Sequence, residues 1–507
     1  MTFQQLLYGA EVLAHRGDAS VSGLEYDSRQ IKPGDVFVAM RGESSDGNKF
    51  IDRAIAAGAV AVVTDSATEK PRDQVAWAQV PHGRRALARL SANFYKRPAE
   101  RLAVTGITGT NGKSTTAFLL ESILVAAGRK SALIGTIEYH VAGKVLPAPH
   151  TTPESLDVNR MLNQGLGDGA SEAVMEVSSH ALAQERAYGI PFDVAVFTNL
   201  TRDHLDYHHT MEEYFAAKRI LFEGCGTDAP RASVLNVDDE YGQKLVKVSR
   251  SGGSQVLTYS LKKADFHGEN ISVACRGTRF DLITPQEIIP VFSPLIGRVN
   301  VYNIMAAAAA AYARGCKPEA MAKGIETLAR VPGRFERVDC KQPFTVVVDY
   351  AHTDDALRNL TALAREFVEQ AGQKGRVITV FGCGGDRDRA KRPLMGEAAG
   401  RGSDFVVLTS DNPRSEEPLA IINDAMVGLQ RCGAKYKMEP DRKAAIALAM
   451  HEAGPGDIVL IAGKGHEKVQ ITREGSLPFD DAEVARAILR DAGYGCEAAN
   501  TATGNHS

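Results

Sequence analysis

The chain has 507 residues, too many for one hydrophobic core, and at roughly 100–200 residues per domain about three units are expected. Its 44% apolar and 24% charged residues are the proportions of an ordinary globular protein, and a formal net charge of −3 offers no basic footprint for nucleic acid. Residues 1–18 lack a basic segment before a long apolar run and no stretch nears ~20 apolar residues, so neither a secretory signal nor membrane insertion is expected. Seven cysteines, at 225, 275, 316, 340, 383, 432 and 496, are dispersed without CxxC spacing. That arrangement predicts reduced thiols, a cytoplasmic location and no zinc site.

In chain order, residues 1–97 alternate short apolar runs with small-residue helical stretches. Strands are expected at 36–40 and 59–64, a helix at 51–57, and polar turns at YDSR (26–29) and ESSDG (43–47). From about residue 101 strand and helix alternate regularly, as in a parallel sheet with crossover helices. Strands are expected near 132–134, 172–177, 193–197 and 233–236, and helices over 301–313 and 318–329; residues 254–294 read as a small antiparallel addition. VPGRFERV (331–338) reads as a linker, after which the pattern restarts. The fold class is therefore α/β in three domains. A small N-terminal α/β unit (1–97) precedes a central P-loop ATPase-like parallel sheet (98–332) and a C-terminal Rossmann-like doubly wound unit (333–495), with a disordered tail at 496–507.

The clearest chemistry lies in LAVTGITGTNGKSTT (102–116): a buried strand end, a glycine loop, then Lys113 and Ser114 opening a helix. Backbone N–H groups turned inward and a helix N-terminus cradle phosphates, Lys113 reaches the β/γ-phosphates, and the Ser114 hydroxyl sits on Mg²⁺. The usual spacing wants glycine where Ile107 stands, which counts against an ordinary motor or switch NTPase. Ligands of doubly wound sheets bind at the carboxyl ends of strands. Polar residues follow five apolar strands here: EVSSH (176–180), TRDHLDYHH (201–209), VDYAH ending at His352, SDNPR ending at Arg414, and AGKGHE ending at Glu467. A carboxylate, a histidine and a P-loop hydroxyl suit Mg²⁺, which prefers oxygen ligands.

GTNGKST, HTTPES (150–155), EVSSHAL, NLTRDHLDYH, NVYNIMAA (300–307), GRFERV and VDYAHT together resemble the ATP-dependent Mur ligases, which build the peptide stem of bacterial cell-wall precursors. The resemblance spans nearly the whole chain in consistent order. DNPR (411–414) is the string of members that add meso-diaminopimelate to UDP-N-acetylmuramoyl-L-alanyl-D-glutamate; lysine-adding relatives differ where Arg414 stands. A guanidinium pairs bidentately with the extra carboxylate of diaminopimelate and would be left unpaired by lysine.

The resemblance implies an acyl phosphate route driven by ATP, in a monomer without nucleic-acid partners. It assigns ATP to Gly109, Thr110, Asn111, Gly112, Lys113, Ser114, Thr115, Asn303, Arg334 and Asp349, and the UDP-muramoyl dipeptide to Ser28, Thr151, Thr152, Ser178, Gln184 and Arg186. Diaminopimelate falls to Arg387, Asp411, Asn412, Pro413, Arg414, Gly463 and Glu467. Lys113, Glu176, His204 and Lys218 become the catalytic group, with Mg²⁺ on Ser114, Glu176, His204 and a CO₂-derived carbamate of Lys218. Without the resemblance, Lys218 would be a surface helix lysine and GDRDRAKR (385–392) a solvated basic turn. Two other readings compete. A folylpolyglutamate synthetase shares the unusual phosphate loop but lacks the N-terminal unit and DNPR, and a nucleotide switch would need an NKxD string that is absent.

Overall fold

The computed structural model describes residues 1–42, 45–274, 276–370 and 375–496. The tail beyond 496 and part of the ESSDG turn lie outside the described residues. Three main sheets follow one another along the chain. The first runs Ala14–Arg16, Ala76–Gln79, Ala61–Thr64, Asp35–Ala39, Gly23–Glu25, all parallel except the first pair.

The central sheet has eleven strands around Ala103–Thr108, which lies between Glu172–Glu176 and Phe192–Phe197, both parallel to it. The chain leaves Ala103–Thr108 for Ser131–Ile134, returns to Glu172–Glu176, then crosses to Phe192–Phe197 on the other side. Strand order therefore reverses at Ala103–Thr108, and its carboxyl end opens into a crevice, the place where such sheets bind ligands. Strands buried on both faces need helices on both. Lys113–Ala126, Arg298–Ala313 and Pro318–Thr327 cover one face, and Ser155–Gly167, Met211–Glu223 and Glu240–Ser251 cover the other. The run Ala306–Ala311 is wholly buried, because only methyl side chains let that helix lie so close to sheet and phosphate-loop helix. Gly324 serves the same end: a Cβ there would collide with the Ile123 backbone of the phosphate-loop helix.

The third sheet runs Glu336–Val338, Thr345–Asp349, Ile458–Ala462, Val377–Phe381, Phe405–Leu408, Tyr436–Met438, parallel after the first antiparallel pair. Asp354–Gln370, Lys391–Gly402 and Pro418–Arg431 pack on one face and Arg442–Glu452 and Asp481–Asp491 on the other, so it is doubly wound.

Four features depart from the sequence reading. Gln255–Ser260 continues the parallel run and pairs in parallel with Phe266–Ala274, and the antiparallel part of this segment begins only where Phe266–Ala274 meets Gly277–Ile283, which in turn meets Ile288–Ser293. A hairpin, Glu138–Val141 with Lys144–Pro147, extends the opposite edge; its short strands resemble loop in sequence. The second half of the expected linker is the edge strand Glu336–Val338, whose pairing partner arrives only with the restarted sheet. Finally, Cys340 and Cys496 form a disulfide across 156 residues, which corrects the expectation of reduced thiols for this pair; Cys225, Cys316, Cys383 and Cys432 are free. No spacing rule could have paired them, since folding of the entire third sheet brings them together.

Candidate active site

At the end of Ala103–Thr108, Gly109 and Gly112 have φ of 147° and 86°, and a Cβ at either would collide with Thr198 Oγ1 or Asn303 Oδ1. Glycine is thus required both for the turn and for the close packing of Asn303. The Thr110 N–H donates to Asn199 O (2.8 Å) and the Asn111 N–H to Asn199 Oδ1 (2.9 Å), fixing the loop above its helix. Lys113 Nζ folds back on the loop, donating to Gly109 O at 3.0 Å and Thr110 O at 2.9 Å. Lys218 reaches the same carbonyl from the helix Met211–Glu223, at 2.8 Å, with its ammonium over the Tyr214 ring. Two amines on one acceptor repel. Burial, then Lys113, pushes the Lys218 pKa well below its usual value, and burial lowers that of Lys113. Lys218 is 1% exposed, so the surface reading of this lysine is overturned: its helix turns this position inward onto the loop.

Glu176, wholly buried at the end of Glu172–Glu176, accepts from Ser114 Oγ (3.0 Å), Thr136 Oγ1 (2.8 Å) and Thr136 N (2.8 Å). This oxygen-rich corner beside the phosphate loop fits magnesium, which takes one or two protein oxygens and completes its shell with phosphates and water. The four expected ligands do not all touch one another. His204 Nε2 faces Asp203 Oδ2 at 3.4 Å and its ring lies edge-on to His180, while Lys218 faces Gly109 O. No cluster of three or more His, Cys, Asp or Glu suited to a metal occurs among the described residues.

Arg334 stacks on Tyr350 at 4.6 Å and reaches Ser114 Oγ at 3.4 Å, bringing the start of the third unit onto the phosphate loop. Asp349, whose burial raises its pKa, accepts from Phe335 N (2.7 Å) and Ala351 N (2.8 Å), so its carboxylate fixes the turn that carries Arg334. Beside Glu176, Thr152 Oγ1 donates to Glu176 O (2.8 Å) and accepts from Ser178 N (3.1 Å), and Thr151 Oγ1 accepts from Thr136 Oγ1 (3.1 Å). Arg186 joins Thr152 O (3.1 Å), Gln184 Oε1 (2.5 Å) and Glu154 (3.2 Å). These five positions form one patch. Ser28 is buried apart from them in the first unit, two residues from Tyr26, whose hydroxyl crosses to Asp157 at 2.9 Å.

In the third unit, Arg387 and Arg414 flank Gly384, and each donates only to backbone carbonyls: Arg387 to Asp386 O (2.9 Å), Arg414 to Gly385 O (2.7 Å). Among the described residues neither guanidinium forms an ion pair. Burial and the neighbouring Arg387 lower the Arg414 pKa, against the opposing pull of the Asp411, Glu467 and Asp386 carboxylates nearby. Asn412 Nδ2 donates to Glu467 Oε2 at 2.7 Å; Asp411 Oδ2 is buried without a hydrogen bond and lies close to Gly463. Pro413 is buried between them.

Three family models match the chain: "Mur ligase family, catalytic domain" over residues 20–95, "Mur ligase middle domain" over 107–311, and "Mur ligase, glutamate ligase domain" over 333–465. A curated protein from Solibacter usitatus is 55% identical over 94% of both chains. The chain belongs to the Mur ligase family. That relative, and one from Geobacter metallireducens at 45% identity over 93% of this chain and 94% of its own, are named UDP-N-acetylmuramoyl-L-alanyl-D-glutamate--2,6-diaminopimelate ligase. A solved structure of the same name is 33% identical with TM-score 0.67, covering 97% of this chain and 99% of its own. The MurF ligase of Thermotoga maritima in complex with ADP, 19% identical with TM-score 0.63 over 93% and 97% of the two chains, shares the fold.

As a Mur ligase, the chain contains supporting residues that sequence reading passed over. Lys464, wholly buried, ties Asn412 Oδ1 (3.0 Å), Glu467 Oε2 (3.1 Å) and Val469 O (2.6 Å) together. Its place inside AGKGHE was the available signal. Arg392 is 1% exposed and binds Glu416 and Asp424, and Lys391 is also buried, so the end of GDRDRAKR is packed inward, while Asp386, Arg387 and Arg389 stay exposed as a solvated turn would have them. Asp424 and Glu416 come from distant sequence, which hides the pairing from a linear reading.

Proposed function

We propose that this Mur ligase joins meso-diaminopimelate to the D-glutamyl γ-carboxylate of UDP-N-acetylmuramoyl-L-alanyl-D-glutamate, forming ADP and phosphate. The γ-carboxylate attacks the γ-phosphorus of ATP to give an acyl phosphate and ADP; the amine then adds to the acyl carbon, loses its proton and expels phosphate. Two anions must meet in the first step, so catalysis is charge neutralisation and positioning. Lys113 and the N–H groups of the loop 109–115, apart from those of Thr110 and Asn111 that donate to Asn199, bind the β/γ-phosphates, while Asn303, Arg334 and Asp349 hold the nucleotide between two units. Ser114, Glu176 and His204 would hold Mg²⁺, which would supply further neutralisation. Burial, which lowers the Lys218 pKa, favours the neutral amine, the form that reacts with CO₂, and its carbamate would add an anionic oxygen. Thr151, Thr152, Ser178, Gln184 and Arg186, with Ser28 from the first unit, take the UDP-muramoyl dipeptide.

The observation that carries the substrate choice is the convergence of Arg387 and Arg414 without a carboxylate partner. Their charge fits the distal carboxylate that diaminopimelate has and lysine lacks, with Asp411, Asn412 and Glu467 left for the ammonium groups. The unit boundaries are 1–97, 98–332 and 333–495, and the enzyme works as a cytoplasmic monomer, where ATP and nucleotide-linked precursors reside. Side-by-side incorporation of meso-diaminopimelate and L-lysine tests this reading. Diaminopimelate should be used with a kcat/KM at least about 10³-fold higher, and equal use of lysine would refute it.

A further inference from the structure

Residues 201–204 follow the strand Phe192–Phe197 and carry His204; residues 384–391 of the third unit carry Arg387. The two loops touch through a pair of ionic contacts. Arg202 Nη2 lies 3.3 Å from Asp388 Oδ2, and Asp203 Oδ1 lies 3.3 Å from Lys391 Nζ. The side chains of Asp388, Asp203 and Lys391 are 9%, 5% and 11% exposed, so three of the four charges are withdrawn from water at a junction between units. His352 of the third unit adds a third contact, its Nε2 3.8 Å from Asp203 Oδ2.

The polarity is crossed. On the central unit the order is cation then anion, and on the third it is anion then cation. A slip of one contact along the junction would set Arg202 against Lys391 and Asp203 against Asp388. Buried pairs contribute little net stability after desolvation, whereas misregister leaves unpaired buried charges, so such an arrangement specifies register. Asp388 is the immediate neighbour of Arg387, and Asp203 of His204. The junction therefore couples the loop proposed for the amino acid to the loop proposed for the metal.

We propose that Arg202–Asp388 and Asp203–Lys391 form a two-pair latch that sets the distance from the amino-acid site to the phosphate loop. Arg202 and Asp388 are positioning residues for the amide-forming step. The idea rests on the ligase reading for its substrate, but the latch itself is a statement about two units. Neither Arg202 nor Asp388 touches the phosphate loop, so nucleotide affinity should be unaffected by their replacement.

The test uses Arg202→Glu, Asp388→Asn, Asp388→Arg and the reversed pair Arg202→Glu/Asp388→Arg in the full chain, each with its Tm measured. The single changes should lower kcat for amide formation about tenfold and raise the KM for meso-diaminopimelate, with nucleotide Kd within about twofold of the parent. The reversed pair should recover to within about threefold. A folded reversed pair no better than its parents, or single changes with parental kcat and KM, would overturn the latch. X-ray scattering of the nucleotide-bound chain gives a readout independent of the amino acid. Arg202→Glu should increase the radius of gyration and the reversed pair restore it, and unchanged scattering in Arg202→Glu would also overturn the proposal. Failure of the parent enzyme to use diaminopimelate, with the scattering response intact, would refute the substrate and leave the latch supported.

Discussion

The phosphate loop and the paired-arginine site recognise anions by opposite means. The first is contiguous: seven residues, 109–115, on one strand-to-helix connection, working through backbone N–H groups and one lysine. The second gathers side chains from the connections after Val377–Phe381, Phe405–Leu408 and Ile458–Ala462; the selectivity proposed for it resides in two guanidinium groups, beside Asn412 and Glu467 that Lys464 ties together and Gly384 that Arg392 holds. Backbone cradles read any triphosphate, because every residue supplies the same N–H. Side chains collected from several strands discriminate, because each can be changed alone. Specificity is therefore expected to evolve and to fail in the third unit, and turnover in the central one.

The largest break in that contrast should come from Lys218. Lys218→Ala should reduce phosphate release with all substrates present by roughly 10³-fold while nucleotide binding, followed by calorimetry, survives. Parental turnover would remove the carbamate role. Next, Arg414→Ala should raise the KM for meso-diaminopimelate about 10²-fold and leave the KM for ATP within about twofold. Equal increases in both would make Arg414 a structural residue.

A smaller difference concerns stability, since among the described residues only the third unit carries a covalent link. Cys340 precedes the strand Thr345–Asp349 and Cys496 follows the last helix, so the bond encloses all of the unit except its edge strand Glu336–Val338. Reductant should remove about 2–4 kcal/mol from that unit, a fall of roughly 5–15 °C in its Tm, and Cys340→Ser should match the reduced parent. A scan insensitive to reductant would show that the link contributes nothing.

The smallest effect is acidic. Burial lowers His208, stacked on Tyr214, and His466 to about 4 and about 3 from 6.5. The unfolded chain then binds protons first as pH falls below 6.5, so unfolding free energy should drop from pH 6.5 to about 4 for His208 and on to about 3 for His466. Replacing His208 with Gln should flatten part of that slope, measured by urea denaturation across pH.

Much of this was visible beforehand because it is local. The strand, glycines, Lys113 and Ser114 of the phosphate loop are neighbours in sequence, and βα periodicity announces a doubly wound sheet wherever burial on both faces demands apolar runs. Lys218 and the end of GDRDRAKR were misread by local rules for a common reason. Amphipathic spacing says which face of a helix is polar, but not that a polar face can be covered by another strand's loop. Glu138–Val141, Lys144–Pro147 and Glu336–Val338 escaped notice because short edge strands carry too few residues for a period to emerge.

From its residues alone, the chain determined the phosphate cradle, the succession of α/β units and, through seven motifs in order, its family, since each depends on neighbours along the backbone. Only the tertiary structure decided that Lys113 and Lys218 share one carbonyl, that Arg387 and Arg414 stand together without an ion pair among the described residues, that Cys340 meets Cys496, and that Arg202 and Asp203 cross to Asp388 and Lys391. These contacts join residues up to 188 apart in sequence, and what brings them together is the packing of strands and helices around buried cores rather than any property of the segments themselves.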